Sequence, residues 1–294
     1  MNRRPQIAAR WLPPSGFSKR DEWIMHGGSR PPGLWDWFMQ LDAARLRDFY
    51  RTPLGQVARR QLVAQIRRRW KSTTGLTVVG AGFPTPFLGS FRSEAARAGC
   101  LMPARQGALV WPPGGKCHSV LVEEHHWPLP DNSVDRLLAV HMLEAAERIG
   151  PVLREMWRVL APDGRLILIV PNRSGVWSRI DTTPFGQGLP FSRSQLTHEL
   201  SDALLTPLDW GDALFFPPVG NRFLLRMAPA LERTGSRLSR GFGGVIVVEA
   251  RKELMAPVGG GVRAAIPAPA FKPAGSFGRL LEPSNKSSDG LDPR

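Results

Sequence analysis

Five consecutive apolar residues, Leu166 to Val170, constrain this chain most. A strand without a polar position has no face to give to water. Both faces must then be covered, as in a parallel sheet flanked by helices. The run has the length of a strand, and no apolar stretch in the chain approaches the roughly 18 residues that a membrane-spanning helix needs. Its surroundings repeat the theme. Residues 75–82 (GLTVVGAG), 119–124, 134–140, 165–171 and 243–250 read as strands, and 208–216 as extended. Before and between them, residues 54–70, 86–98, 150–160, 194–205 and 221–238 carry helical spacing. In the first of these, Leu54, Val57, Ala58, Leu62, Ile66 and Trp70 share one face and arginines take the other. Thr85 followed by Pro86 reads as the N-cap and first position of the next helix. Strands alternating with helices predict a doubly wound α/β sheet, whose right-handed crossovers put a ligand at the C-terminal strand ends.

The 294 residues divide at two changes of composition. Residues 1–35 and 253–294 are rich in Pro, Gly and polar side chains. They cannot bury enough apolar area to offset the entropy of ordering, so they read as a disordered or loosely packed lead and a disordered tail. Trp11, Trp23, Trp35 and Trp37 give the lead, and the first residues after it, docking potential on the domain or a partner. The α/β domain is expected over 36–252. The net charge is +14, and residues 45–71 alone hold nine basic side chains against Asp48. That segment is the basis for reading the chain as a nucleic-acid-binding protein. Two cysteines, Cys100 and Cys117, build neither a disulfide framework nor a CxxC metal motif, which fits a reducing, cytoplasmic setting. No apolar stretch of signal-peptide length precedes Pro13.

The first feature that carries chemistry is the glycine turn Gly80-Ala81-Gly82, between a strand and a helix start. Glycines let a ligand approach the main chain, and a helix start offers free N–H groups. A dinucleotide site would want a third glycine at Thr85 and an acid about 20 residues on, but residues 95–106 contain neither Asp nor Glu. No G-K-[ST] follows, so a phosphate-binding P-loop is excluded. No metal is expected. His125 and His126 are neighbours on an extended segment and point to opposite sides, and His141 with Glu144 is a pair without further ligands. Neither cysteine has a histidine in a nucleophile motif.

Two later blocks give the turn a context. Glu123-Glu124 followed by the LPDNSVD segment 129–135, and RVLAPDGRL at 158–166, resemble in order and spacing the class I S-adenosylmethionine-dependent methyltransferases of the type 11 group. The resemblance covers residues 49–171 well and 172–250 more loosely. It implies a Rossmann-like seven-stranded sheet, S-adenosylmethionine as cofactor, and methyl transfer to a small-molecule or macromolecular acceptor that it does not identify. By the same resemblance, Gly80, Ala81 and Gly82 face the methionine part of the cofactor. Met102 stands where it would pack on the adenine, Glu123 or its neighbour Glu124 accepts the adenine amino group, and His141 lines the floor beneath the sulfonium.

The chain departs from that pattern at two places. Thr77-Val78 stand where an acid usually precedes the glycine turn, and residues 100–104 offer no acid to the ribose hydroxyls. A polar edge left without a partner costs about 1–3 kcal/mol. The same departures support an alternative, a catalytically inactive member kept as a binding or regulatory module. Residues 172–191 follow the fifth strand, where a substrate mouth is expected. Loops of this length usually serve a function, and Trp177, Arg179 and Asp181 are its candidate substrate contacts. His141 and Asp181 are the candidate general bases.

Overall fold

The computed structural model describes residues 41–238 and 241–253. The lead, its tryptophans and the tail beyond residue 253 lie outside the described residues. Seven strands form one sheet: β1 (Thr77–Gly82), β2 (Arg97–Pro103), β3 (Ser119–Val122), β4 (Val134–Val140), β5 (Leu160–Pro171), β6 (Leu205–Ala213) and β7 (Val245–Lys252). Their order is β3-β2-β1-β4-β5-β7-β6. All run parallel except β7, which is antiparallel to both β5 and β6. This is the seven-stranded Rossmann-like sheet of the class I methyltransferases. The chain leaves β1 toward β2 on one side and later returns to β4 on the other, so the order reverses beside β1. A crevice is expected outside the strand ends at such a point.

The apolar run of β5 is buried on both faces. Ile167 and Ile169 enter one core with Val78, Leu138, Val140, Val245 and Val247. Leu166, Leu168 and Val170 enter the other with Val79, Leu137, Ala139, Ile246 and Val248. Each fully buried side chain of this size contributes about 1.5–3 kcal/mol, so two covered faces account for a strand without polar positions. The first core is covered by α1 (Ala43–Arg51) and α2 (Pro53–Arg69), whose residues Leu46, Tyr50, Leu62 and Ile66 it contains. The second is covered by α4 (Ile149–Val159) and α6 (Arg193–Asp202). The remaining helices are α3 (Thr85–Leu88), α5 (Pro184–Gln187) and α7 (Arg222–Leu238).

Several boundaries differ from the sequence reading, three of them with a clear cause or consequence. The helix expected over 86–98 ends at Leu88, and residues 97 onward already belong to β2. Pairing with β1 claims the last two of the expected residues: Thr77 to Ala81 lie in register with Arg97 to Leu101. Pro84 takes the N-cap position of α3, and the Thr85 side chain makes no capping bond. The segment read as helical to Leu205 ends at Asp202, because Leu205 pairs with Lys252 at the sheet edge. The strand expected over 119–124 stops at Val122, and Glu123 pairs with His126 in a turn. None of the described helices is long and apolar enough to cross a membrane.

Candidate functional site

The glycine turn meets β4 at the switch point. Phe83 N–H donates to the Val140 carbonyl at 2.7 Å. Gly82 has φ +83°, and a Cβ there would lie 2.4 Å from the Val140 oxygen. On Gly80 a Cβ would lie 2.4 Å from the Pro84 ring and 2.8 Å from Leu88. Both glycines are therefore required by packing of this chain on itself, and the side of Gly80 is filled by Pro84.

His141 follows β4 directly, with φ +53°, in the left-handed region. For a side chain with a Cβ this conformation costs about 1–3 kcal/mol and persists where surrounding contacts fix it. The contacts are polar. His141 Nδ1 lies 2.9 Å from Glu144 Oε1, and Nε2 lies 2.8 Å from the Tyr50 hydroxyl. With Glu144 accepting from Nδ1–H, Nε2 accepts a hydrogen bond from the Tyr50 hydroxyl. His141 and Glu144 are fully buried and Tyr50 is 6% exposed. Burial pushes the Tyr50 phenol well above its ordinary pKa, and the Glu144 charge adds to it. Aromatic rings close around the group. Phe185 lies 4.7 Å from the His141 ring, and Tyr50 stacks on Phe83 at 6.2 Å.

A third strand end reaches the same place. Gln106, just past β2, donates its side-chain amide to the His141 carbonyl. The main-chain carbonyl of Gln106 accepts from Ala43 N–H at 2.7 Å, at the start of α1. Arg105 pairs with Glu147 at 3.0 Å. The segment after β2 is thus tied to the residues after β4, across the end of β1. Gln106 Oε1 and Glu144 Oε2 are buried and have no hydrogen-bond partner among the described residues. Hollows of about 540 and 490 Å³ lie elsewhere, one beside Trp127 and Arg158, the other beside Arg92 and His118, and neither is lined by the glycine turn.

The sequence-predicted residues separate into two groups. Gly80, Ala81, Gly82, Met102 and His141 gather at the ends of β1, β2 and β4. Met102 is fully buried, and its sulfur accepts from Leu109 N–H at 3.3 Å. Glu123 stands apart, exposed in its turn. Glu124 accepts from Glu147 N–H at 3.1 Å, beyond the end of β4. In the loop after β5, Trp177 is a core residue and does not line an open mouth. It is fully buried, packs on Phe185 and Phe216, and donates its indole N–H to the Phe216 carbonyl at 2.7 Å. Arg179 and Asp181 are exposed on the same loop. His141 and Glu144 pair in a turn after β4, where no helix begins.

Tyr50, Gln106 and Glu144 are site residues to which the sequence reading gave no role. Tyr50 is the chain's one tyrosine, but it lies 91 residues from His141, and no local spacing connects them.

The two blocks that carry the family resemblance are physically joined. Arg158 donates to the Trp127 and Leu129 carbonyls and pairs with Glu155, at 2.6–3.1 Å, and it also meets Asp131 at 2.5 Å. Asp135 accepts from Thr77 N–H at 2.8 Å, at the start of β1. The basic helix α2 is also partly engaged. Arg59 donates to the Pro86 carbonyl, Arg67 pairs with Glu94 at 2.7 Å, and Arg69 pairs with Asp209 at 2.7 Å with its side chain 3% exposed.

Residues 92–168 match the family model described as a methyltransferase domain. Among solved structures, a methyltransferase of Thermotoga maritima, described as S-adenosylmethionine-dependent and a possible histamine N-methyltransferase, is 15% identical. The alignment covers 74% of this chain and 98% of that one, with a TM-score of 0.51. A methyltransferase of Aquifex aeolicus is 16% identical over 72% of this chain and 99% of that one, with a TM-score of 0.47. No curated protein matches the chain.

The cofactor that the resemblance implies can be tested against the donor set. S-adenosylmethionine presents ribose hydroxyls and an ammonium group, all hydrogen-bond donors. Two buried acceptors without a partner among the described residues, Gln106 Oε1 and Glu144 Oε2, fit such donors. The apolar Met102 does not.

Proposed function

We propose that this chain, which has the class I methyltransferase fold and a methyltransferase-domain segment at residues 92–168, binds S-adenosylmethionine at the ends of β1, β2 and β4 and transfers its methyl group to an acceptor. The observation that carries this reading is the family match on a chain with this sheet order. The bound cofactor would supply a methyl group on a sulfonium, which a nucleophile can take by direct displacement.

The chain's own residues have three tasks. The backbone of Gly80 to Gly82 borders the ligand. Glu144 and Gln106 accept its donors, in place of the absent ribose carboxylate. Phe83, Phe87 and Phe185, all at most 1% exposed, keep water out, and His141 Nε2 is hydrogen-bonded to the Tyr50 hydroxyl. Orientation in such a dry site is worth several kcal/mol, up to about 7–11. Gln106 has to release the His141 carbonyl when ligand enters, because the strand between their two strands is β1. The exposed Arg179 and Asp181 are the loop's remaining candidates for acceptor contact. The two unpaired cysteines support a cytoplasmic setting.

A second reading, a non-catalytic binding module, is favoured by the lack of an acid for the ribose hydroxyls over residues 100–104 and by Glu123 facing solvent. Titration calorimetry with S-adenosylmethionine tests the first step. Saturable heat at or below about 1 mM, equivalent to roughly −4 kcal/mol, supports cofactor binding. No heat at that concentration overturns it. Transfer of label from methyl-tritiated cofactor to a cell extract then separates enzyme from module, since a module transfers nothing.

A further inference from the structure

The outer face of α7 has a composition that the sheet does not use. Its inner face is fixed: Ala228 is fully buried, Leu225 packs on the first core, and Glu232 is 7% exposed. Glu232 accepts from Leu214 and Phe215 N–H, each at 2.9 Å, and so pins the helix to the end of β6. At the other end, Asn221 Oδ1 accepts from Phe223 N–H at 2.8 Å and sets the first turn. The opposite face carries Phe223, 69% exposed, and Met227, 43% exposed, one turn apart. Val219 precedes them at 39%. Arg222 and Arg226, also exposed and one turn apart, run alongside. The helix sequence holds four arginines and one acid, and that acid is the inward-facing Glu232.

We propose that the first half of α7 docks the protein on an anionic phospholipid surface, with Phe223 and Met227 at the acyl boundary and Arg222 and Arg226 among the headgroups. Charge complementarity sets the sign of the partner, because this face carries arginines and no carboxylate. The large exposed apolar side chains set its kind. They need a partner that accepts them without a preformed pocket, which the interface of a bilayer does. A helix lying in the interface plane, apolar on one flank and basic on the other, has this arrangement. The inference does not depend on methyl transfer.

Co-sedimentation of the full chain with vesicles tests it, comparing phosphatidylcholine alone with phosphatidylcholine containing phosphatidylglycerol. Binding is expected only with the anionic lipid and should fall as salt rises. Arg222→Gln with Arg226→Gln should weaken it about thirty-fold, since each arginine near such a surface contributes about a factor of five. Phe223→Glu with Met227→Glu should abolish it, with circular dichroism unchanged because all four side chains are exposed. Absence of wild-type binding, or equal binding by either double variant, overturns the proposal. The second outcome also covers attachment through other basic parts of the chain.

Discussion

Gln106 donates its side-chain amide to the main-chain carbonyl of His141, and so links the end of β2 to the end of β4 over the strand between them. A carbonyl at the end of a buried strand needs a partner, and here the chain supplies its own. Gln106→Leu leaves that carbonyl unsatisfied and removes one buried polar group. A loss of about 1–3 kcal/mol in urea unfolding is expected. Stability equal to wild type would mean that the bond carries no weight.

Tyr50 anchors α1 to the same residue. Tyr50→Phe keeps the ring in place between Phe83 and Phe87 but leaves His141 Nε2 without its partner. The expected cost is about 1–3 kcal/mol, again by denaturant unfolding. The ring itself packs in the core, so Tyr50→Ala should cost more, by about 3–5 kcal/mol in total.

Gly80 tests whether the turn is packed against its own helix. A Cβ placed 2.4 Å from the Pro84 ring has nowhere to go, since Pro84 is rigid. Gly80→Ala is expected to destabilise by about 1–3 kcal/mol. An unchanged unfolding midpoint would show that Pro84 moves aside freely.

The two thiols should differ in reactivity. Burial pushes the Cys100 thiol up to about 12. Cys117 is exposed, and hydrogen bonds with Ser119, first through the side chain, hold its pKa below the ordinary value. At pH 8, a disulfide reagent should therefore titrate one thiol in the native protein and two after unfolding. Cys117→Ser should remove the fast phase, and a second fast native thiol would contradict the burial of Cys100.

Glu232 gives a pH signature. Burial raises its pKa, partly offset by the Phe215 and Leu214 amides. With the folded value above the unfolded one, its stabilising contribution is complete below the unfolded value and is lost as pH rises through the raised one. The stability difference between wild type and Glu232→Gln should thus decline from the ordinary glutamate range, about 4.3, up to the raised value, and then level off. A difference that stays flat across that window would be inconsistent with the shift.

The apolar run of β5 and the alternation around it dictated a covered sheet, because burial of consecutive side chains depends only on local composition. Arg158 and Asp135 were legible as parts of blocks, since their partners lie on segments with recognisable spacing. The helix after the glycine turn was less legible. Residues 86–98 have helical spacing, but pairing of β2 with β1 claims the last of them, and a ladder between distant strands leaves no local mark.

By itself, then, the sequence determined the layers, the sheet and the glycine turn at its switch point, all of which follow from periodicity and from which residues can bend. Only the tertiary structure decided what stands at that point. Tyr50, Gln106 and Glu144 meet His141 because three separate strand and helix ends converge there. Trp177 is turned into the core because Phe185 and Phe216 lie beneath it. Hydrogen bonds and packing between residues far apart in the chain are properties of proximity in space, which residue order does not express.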